Sequence, residues 1–359
     1  MSRWFDSAGT MGKKIAVIAG DGIGIDVTRE GLKVLRAVDK KHALGLCIET
    51  LDYGAERYLR DGTTLPPAEI ERFRSEMDAV YVGALGDPRV PDMRHGREIL
   101  LALRFSLDLY INLRPVKCLA DRFCPLKGKT AKDIHFVVLR ENTEGLYVGM
   151  GGIFKKGTPE EIAINEDINT RKGVERIVRA AFAYAQEHRL SRVTMADKAN
   201  VMTFAHDLWQ RVFREVADDY PRIDAQHFYV DALAMQLLKR PEQFDVIVTN
   251  NMFGDIITDI GAQLQGGLGM AASGNINPHG VSLFEPVHGS APKYAGQNIA
   301  NPLAAILTME MMLEHLGYLD AAMDVETAVR RAIDTSMLPA ELGGDLGTRE
   351  MGDFIASVI

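Results

Sequence analysis

Short apolar runs alternate along this chain with longer stretches in which apolar residues recur at helical spacing. Lys14–Ala19 (KIAVIA) has the length and closeness of a buried strand. It enters a glycine-rich turn, Gly20–Gly24, and a helix is expected over Asp26–Val38. Ala79–Val82 and His135–Leu139 read as further apolar strands. Gly83–Met93 is punctuated by Gly and Pro and must be irregular. A 3.6-residue period predicts helices over Arg97–Leu109, Arg171–His188, Pro302–Leu316 and Val325–Thr335. Residues 191–202 give a strand ending near Lys198, and Asp231 stands at another strand-to-helix junction. The alternation of strand and helix predicts an α/β fold.

The segment Val246–Pro302 concentrates the chemistry. Val246–Thr249 is a β-branched run suited to a buried parallel strand, ended by Asn250 and Asn251. A helix is expected from about Gly254, which puts Asp255 and Asp259 on one face, one turn apart. Such a pair is often no more than a solvated helix face. Its position directly after a strand end, where α/β folds place ligands, favours a divalent-cation site with hard oxygen donors for magnesium or manganese. The intervening Ile256 and Ile257 predict that this helix is largely buried. Further on, the loop 288–296 (HGSAPKYAG) offers backbone N–H groups to a phosphate.

Composition narrows the class. With 359 residues, the chain has room for two domains, and 47% apolar with 25% charged is ordinary for a soluble globular protein. A formal charge of −8 argues against a nucleic-acid footprint. Cys47, Cys118 and Cys124 suggest no disulfide framework, so the expected compartment is the cytoplasm. No apolar run reaches membrane-spanning length, and Met1–Thr10 read as a loose extension. The turn Gly20–Gly24 lacks the GxGxxG spacing of a Rossmann fingerprint.

Several long motifs, in order, carry a resemblance. GDIITDIGAQLQGGLGMAASGNI (254–276) and FEPVHGSAPKYAGQNIANP (284–302) closely resemble the β-decarboxylating dehydrogenases, which comprise the 3-isopropylmalate, isocitrate, homoisocitrate and tartrate enzymes. LLALRFSLDLYINLRP (100–115), RENTEGLY (140–147) and the stretch around Lys198 match the same family, so the resemblance covers nearly the whole chain. It implies an isopropylmalate dehydrogenase-like fold of two α/β domains, not a Rossmann fold. Residues 1–109 with 266–359 would form the first domain and residues 110–265 the second.

The resemblance also implies roles. Arg104, Arg114 and Arg140 would clamp the carboxylates of a malate-like hydroxy acid, a task suited to the guanidinium fork. Asp231 would join Asp255 and Asp259 as the third metal carboxylate. Lys198 would act as base and Tyr147 as acid in oxidation followed by loss of carbon dioxide. Asp231 and Lys198 would reach the site from the second subunit of a homodimer, held partly by an arm between Tyr147 and Thr170. Asn200, Glu285, His288, Gly289, Ser290, Ala291, Lys293, Tyr294 and Asn301 would bind the cofactor. A non-catalytic regulatory subunit or a pure binding protein would have no use for this full set.

For the substrate, Leu100 and Leu101 resemble the apolar pocket of the enzyme that acts on 3-isopropylmalate. Burying an isopropyl group is worth roughly 1.5–3 kcal/mol, whereas a third carboxylate there would be unpaired. The places where isocitrate enzymes carry Ser and Asn hold Glu98 and Leu100, and homoisocitrate enzymes can place Arg where this chain has Leu101. Arg97 departs from the usual Glu and leaves isocitrate, tartrate and other 3-alkylmalates open. For the cofactor, NAD-using members read HGSAPD, while Lys293 and Tyr294 stand where NADP-using members hold the 2′-phosphate. The C-terminal stretch 346–359 lacks the additional Tyr and Arg that complete that phosphate site. NAD or NADP is therefore expected, with a tilt toward NADP.

Overall fold

The structure, a computed structural model, describes residues Gly12–Ile359; the expected N-terminal extension lies outside the described residues. The chain divides into two compact units. One takes in the described residues to Leu109 together with 118–131 and 262–359; the other takes in 110–117 and 132–261.

In the first unit, five strands run in the order Cys47–Leu51, Lys14–Ile18, Ala79–Val82, Ser282–Pro286, Ala272–Ile276. Neighbours are parallel except the last pair, which is antiparallel. The strand residues of Lys14–Ile18 beyond the first are fully buried, as a run covered on both faces requires. Helix Arg94–Ser106 turns Ile99 and Leu103 into a core shared with Phe73, Val80 and Leu109. That helix starts and ends three residues before the expected Arg97–Leu109. Helix Ile23–His42 exceeds the expected Asp26–Val38 at both ends. Gly22, at φ 57°, releases it from the turn, and Lys40, Lys41 and His42 suit its negative C-terminal end. Helix Leu319–Asp334 likewise starts before the expected Val325, because its first turns bury only the small Ala321 and Ala322.

In the second unit, the order is Ile111–Lys117, His135–Glu141, Val246–Thr249, Arg192–Asp197, Asp224–Tyr229. The first pair is antiparallel and the others are parallel. The strand expected at His135–Leu139 continues to Glu141, so Arg140 lies within it and pairs with Asn112 rather than following the strand. Helix Arg171–Glu187 is capped by the Thr170 side chain and buries one apolar face. The expected arm is a two-stranded hairpin, Gly151–Phe154 with Ile162–Asn165, exposed on every residue. No helix among the described residues is long and apolar enough to cross a membrane, and all three cysteines are free.

Candidate active site

In the second unit, chain segments leaving the carboxyl ends of parallel strands carry most of the site residues expected in that unit, the location where open α/β sheets bind ligands. Val246–Thr249 leads through Asn250 into helix Asn251–Leu264. The helix begins three residues before the expected Gly254 because the Asn250 side chain accepts from Phe253 N at 2.9 Å, an N-terminal cap. An asparagine closing an apolar strand was the signal for it. Asp255 and Asp259 lie one turn apart on this helix, the first partly buried and the second exposed. The expected burial holds for one face only: Ile257 is 1% exposed, whereas Ile256 is 51% exposed.

Asp255 gathers three partners. Arg140, only 1% exposed, donates from Nη1 to Asp255 Oδ1. The Tyr147 hydroxyl donates to Oδ2 at 2.8 Å, and Arg114 Nη1 lies 3.7 Å from Oδ1. Burial works to raise the Asp255 pKa, but Arg140, the Tyr147 hydroxyl and Arg114 outweigh it and hold the carboxyl below its ordinary range. The arginines are themselves aimed. Asn251 Oδ1 accepts from Arg140 Nε at 3.0 Å and Nη2 at 2.7 Å, and Thr258 Oγ1 accepts from Arg114 Nη1 at 2.5 Å. Both arginines stand on adjacent antiparallel strands, Asn112 opposite Arg140, so Arg114 and Arg140 project from one face of the sheet. Gly254 makes the contact possible: a Cβ there would meet Arg140 Cγ at 2.5 Å.

A second pair stands apart. Strand Arg192–Asp197 ends one residue before Lys198, and helix Val230–Lys239 begins with Val230 and Asp231. Lys198 Nζ donates to Asp231 Oδ2 at 2.8 Å, which holds the exposed Asp231 carboxyl below its ordinary range. Among the described residues, no group of three or more carboxylate, His or Cys side chains is spaced to hold a metal ion. Asn200 is exposed in the loop after Lys198.

In the first unit, Leu100, Leu101 and Arg104 share helix Arg94–Ser106, all partly buried. Arg104 Nη2 donates to Glu285 Oε1 at 3.1 Å, and Asn275 Nδ2 donates to the same oxygen at 2.8 Å. Strand Ser282–Pro286 then runs into the loop containing His288, Gly289, Ser290, Ala291, Lys293 and Tyr294. Ser290 O accepts from Ile23 N at 2.8 Å, and Gly296 N donates to Asp26 Oδ2 at 2.7 Å, which fixes the loop on the first helix. Ala291 adopts φ 35°, and Lys293 Nζ lies 4.5 Å from the centre of the Tyr294 ring. Burial pushes the His288 imidazole below its ordinary pKa. Asn301 Oδ1 accepts from Leu303 N at 3.0 Å just ahead of helix Leu303–His315, while its buried Nδ2 has no partner among the described residues.

The model of the isocitrate/isopropylmalate dehydrogenase family matches residues 14–355. The chain belongs to that family. Within the family, it is 51% identical over 347 residues to the 3-isopropylmalate dehydrogenase of Thermobifida fusca, covering 96% of each chain. It is 48% identical over 350 residues to the 3-isopropylmalate dehydrogenase of Streptomyces coelicolor, covering 96% of this chain and 97% of that one. Among solved structures, isocitrate dehydrogenase from Methylococcus capsulatus superimposes with a TM-score of 0.86 at 38% identity, over 96% of this chain and 99% of that one. The match to this isocitrate/isopropylmalate dehydrogenase family bears out the α/β fold and makes the chain a dehydrogenase. Sequence reasoning missed Asn251 and Thr258, which orient the two arginines, and Asn275, which shares Glu285 with Arg104. Polar side chains carry no periodic signal for such a task. Only the packing shows whom they meet.

Proposed function

We propose that this dehydrogenase oxidises and decarboxylates 3-isopropylmalate to 2-oxo-4-methylpentanoate and carbon dioxide, a cytoplasmic step of leucine biosynthesis. The observation that carries the choice of acid is the pair Leu100–Leu101, partly buried one turn from Arg104 on one helix. An apolar tail is received beside the group that receives a carboxylate. The two curated relatives cited above bear the same substrate in their names, which supports the reading.

Arg104, Arg114 and Arg140 bind the carboxylates, and the last two are already oriented by Thr258, Asn251 and Asp255. Ionised Asp255 with Asp259 forms a pair of hard oxygen donors that fits magnesium or manganese. When bound, the metal would supply Lewis acidity at the substrate's hydroxyl or carbonyl oxygen and the nicotinamide would accept hydride. Lys198, held at Asp231, takes the hydroxyl proton, and Tyr147 gives a proton to the enol carbon.

Asp231 and Lys198 come from a second copy of the chain in this reading. Two carboxylates on one helix leave a metal site short of protein donors, and among the described residues no third joins them. The hairpin exposes Ile153, Phe154, Ile162 and Ile164, and a lone two-stranded hairpin is marginal in water. Phe204, 92% exposed, with Met235, Leu238 and Ile256 adds apolar surface on the same unit. These features support a homodimer. Mixing inactive Asp255→Asn and Lys198→Ala subunits should then return roughly a quarter of wild-type activity, because half the dimers regain one intact site. A mixture that stays dead would refute the shared site.

The substrate is tested by kcat/KM for 3-isopropylmalate, isocitrate and tartrate with magnesium. Isocitrate turning over faster would overturn the assignment. For the cofactor, the Lys293–Tyr294 pair supports use of NAD or NADP with a tilt to NADP. Lys293→Asp should shift the NADP-to-NAD ratio toward NAD by about five- to hundredfold, equivalent to ~1–3 kcal/mol. An unchanged ratio would remove Lys293 as the discriminator.

A further inference from the structure

Helix Arg94–Ser106 carries Leu100, Leu101 and Arg104, and its start has little local support: Met93 sits at φ 54° and offers no side-chain hydrogen bond, and Asp92 Oδ1 accepts from Arg94 N at 3.1 Å. The second residue of the helix, His95, is fully buried. Its Nε2 lies 2.8 Å from Asp21 Oδ2, and the Tyr58 ring stacks on it at 5.9 Å. Its Nδ1 is buried with no hydrogen-bond partner among the described residues. A leucine would fill this space without leaving a ring nitrogen bare, so apolar packing does not explain a histidine here.

Asp21 explains it. It lies between Gly20 and Gly22, both at positive φ, in the turn after the first strand, and is 4% exposed. Its carboxylate accepts from Ala55 N at 2.6 Å and from Gly86 N at 2.7 Å, while its own N–H donates to Ala84 O at 2.7 Å. Both of its oxygens already accept a backbone N–H, so the 2.8 Å contact is read with Nε2 of His95 as the donor and Asp21 Oδ2 as the acceptor. Two residues on, Ile23 N holds Ser290 O in the cofactor loop. One carboxylate thus joins the glycine turn, helix Ala55–Asp61, the loop at Gly86 and the start of the helix that carries Arg104.

We propose that His95, through Asp21, is a positioning residue that sets the axial place of this helix and with it Leu100, Leu101 and Arg104. The inference rests on reading that helix as the substrate's. Arg104 lies nine residues beyond His95, about 14 Å along the axis, so a slip or fraying at the start moves every substrate contact together.

The test compares His95→Leu, which removes the donor, with His95→Gln, whose amide nitrogen can occupy the place of Nε2. Amide hydrogen exchange over residues 94–98 is measured without ligand, and KM and kcat are measured with the hydroxy acid. In His95→Leu, exchange at the helix start should quicken about tenfold and KM rise about tenfold, with kcat changing less than about threefold. His95→Gln should recover most of both. If His95→Leu does not fold, His95→Asn replaces it, since its amide reaches only to the place of Nδ1. Unchanged exchange or unchanged KM in the variant lacking the donor overturns the inference, because packing of Ile99 and Leu103 then suffices. A wild-type protein idle on every acid would instead sink the substrate assignment, while exchange still decides whether His95 pins the helix.

Discussion

Asp255 and Asp231 belong to one unit and to one proposed metal site, yet they are held in opposite ways. Asp255 is partly buried and receives Arg140, Arg114 and the Tyr147 hydroxyl. Asp231 is exposed, and its side-chain partner is Lys198, with the Ala232 backbone N–H beside it. The first carboxylate is part of how its unit packs: with Asn251 and the Tyr147 ring it holds the almost fully buried Arg140. The second is a surface ion pair, whose contribution to stability is small. Two side chains of the same type, proposed for one task, are thus held so differently that only one of them also supports the fold.

The largest effect that would expose this contrast is in paired variants. Asp255→Asn and Asp231→Asn should both lower turnover by at least about a thousandfold if both serve the metal. Only Asp255→Asn should also lower the melting temperature, at a cost of about 1–3 kcal/mol for weakening the hold on a buried guanidinium. Equal melting temperatures for the two variants would erase the distinction. A metal-independent Asp255→Asn enzyme with full turnover would remove the metal role altogether.

Tyr147→Phe comes next. Loss of the proposed acid should reduce turnover by about a hundredfold or more while leaving substrate affinity nearly intact. An unchanged kcat would leave Tyr147 only a neighbour of Asp255. The smallest effect is on acid stability of the metal-free protein. Because the folded-state pKa of Asp255 is lowered, its contribution is fully present above its unfolded pKa, about 3.9, and is lost as pH falls through the folded value. Asp255→Asn should therefore lose stability less steeply than wild type below about pH 4 in chelator-treated protein. Parallel unfolding curves over that range would show that the arginines do not hold Asp255 ionised.

Much of the fold was legible in the chain, and the reasons are local. Val246–Thr249 is the strand that its β-branched run predicted, and the helix after it does present Asp255 and Asp259 one turn apart. The misreadings cluster at element ends. Helix Asn251–Leu264 begins at its asparagine cap, His135–Glu141 runs on through Arg140, and Ile23–His42 continues into lysines that apolar periodicity ignores. Capping, strand pairing and helix-end charge decide these limits, and only the first leaves a clear mark on the sequence.

What the sequence determined by itself is the inventory: strands and helices from their periods, and carboxylates, arginines, Tyr147 and Lys198 standing close to strand ends. Tertiary structure alone decided the company each residue keeps. Arg140 meets Asp255 across 115 positions of chain and Arg104 meets Glu285 across 181. Asp21 meets His95 across 74. Ile256 and Ile257 are the same residue type and adjacent in sequence, yet one faces outward and the other is buried. Periodicity is a property of neighbours along the chain. Partnership depends on which strands pair and which helix face packs, and those choices are fixed only when distant segments are buried together.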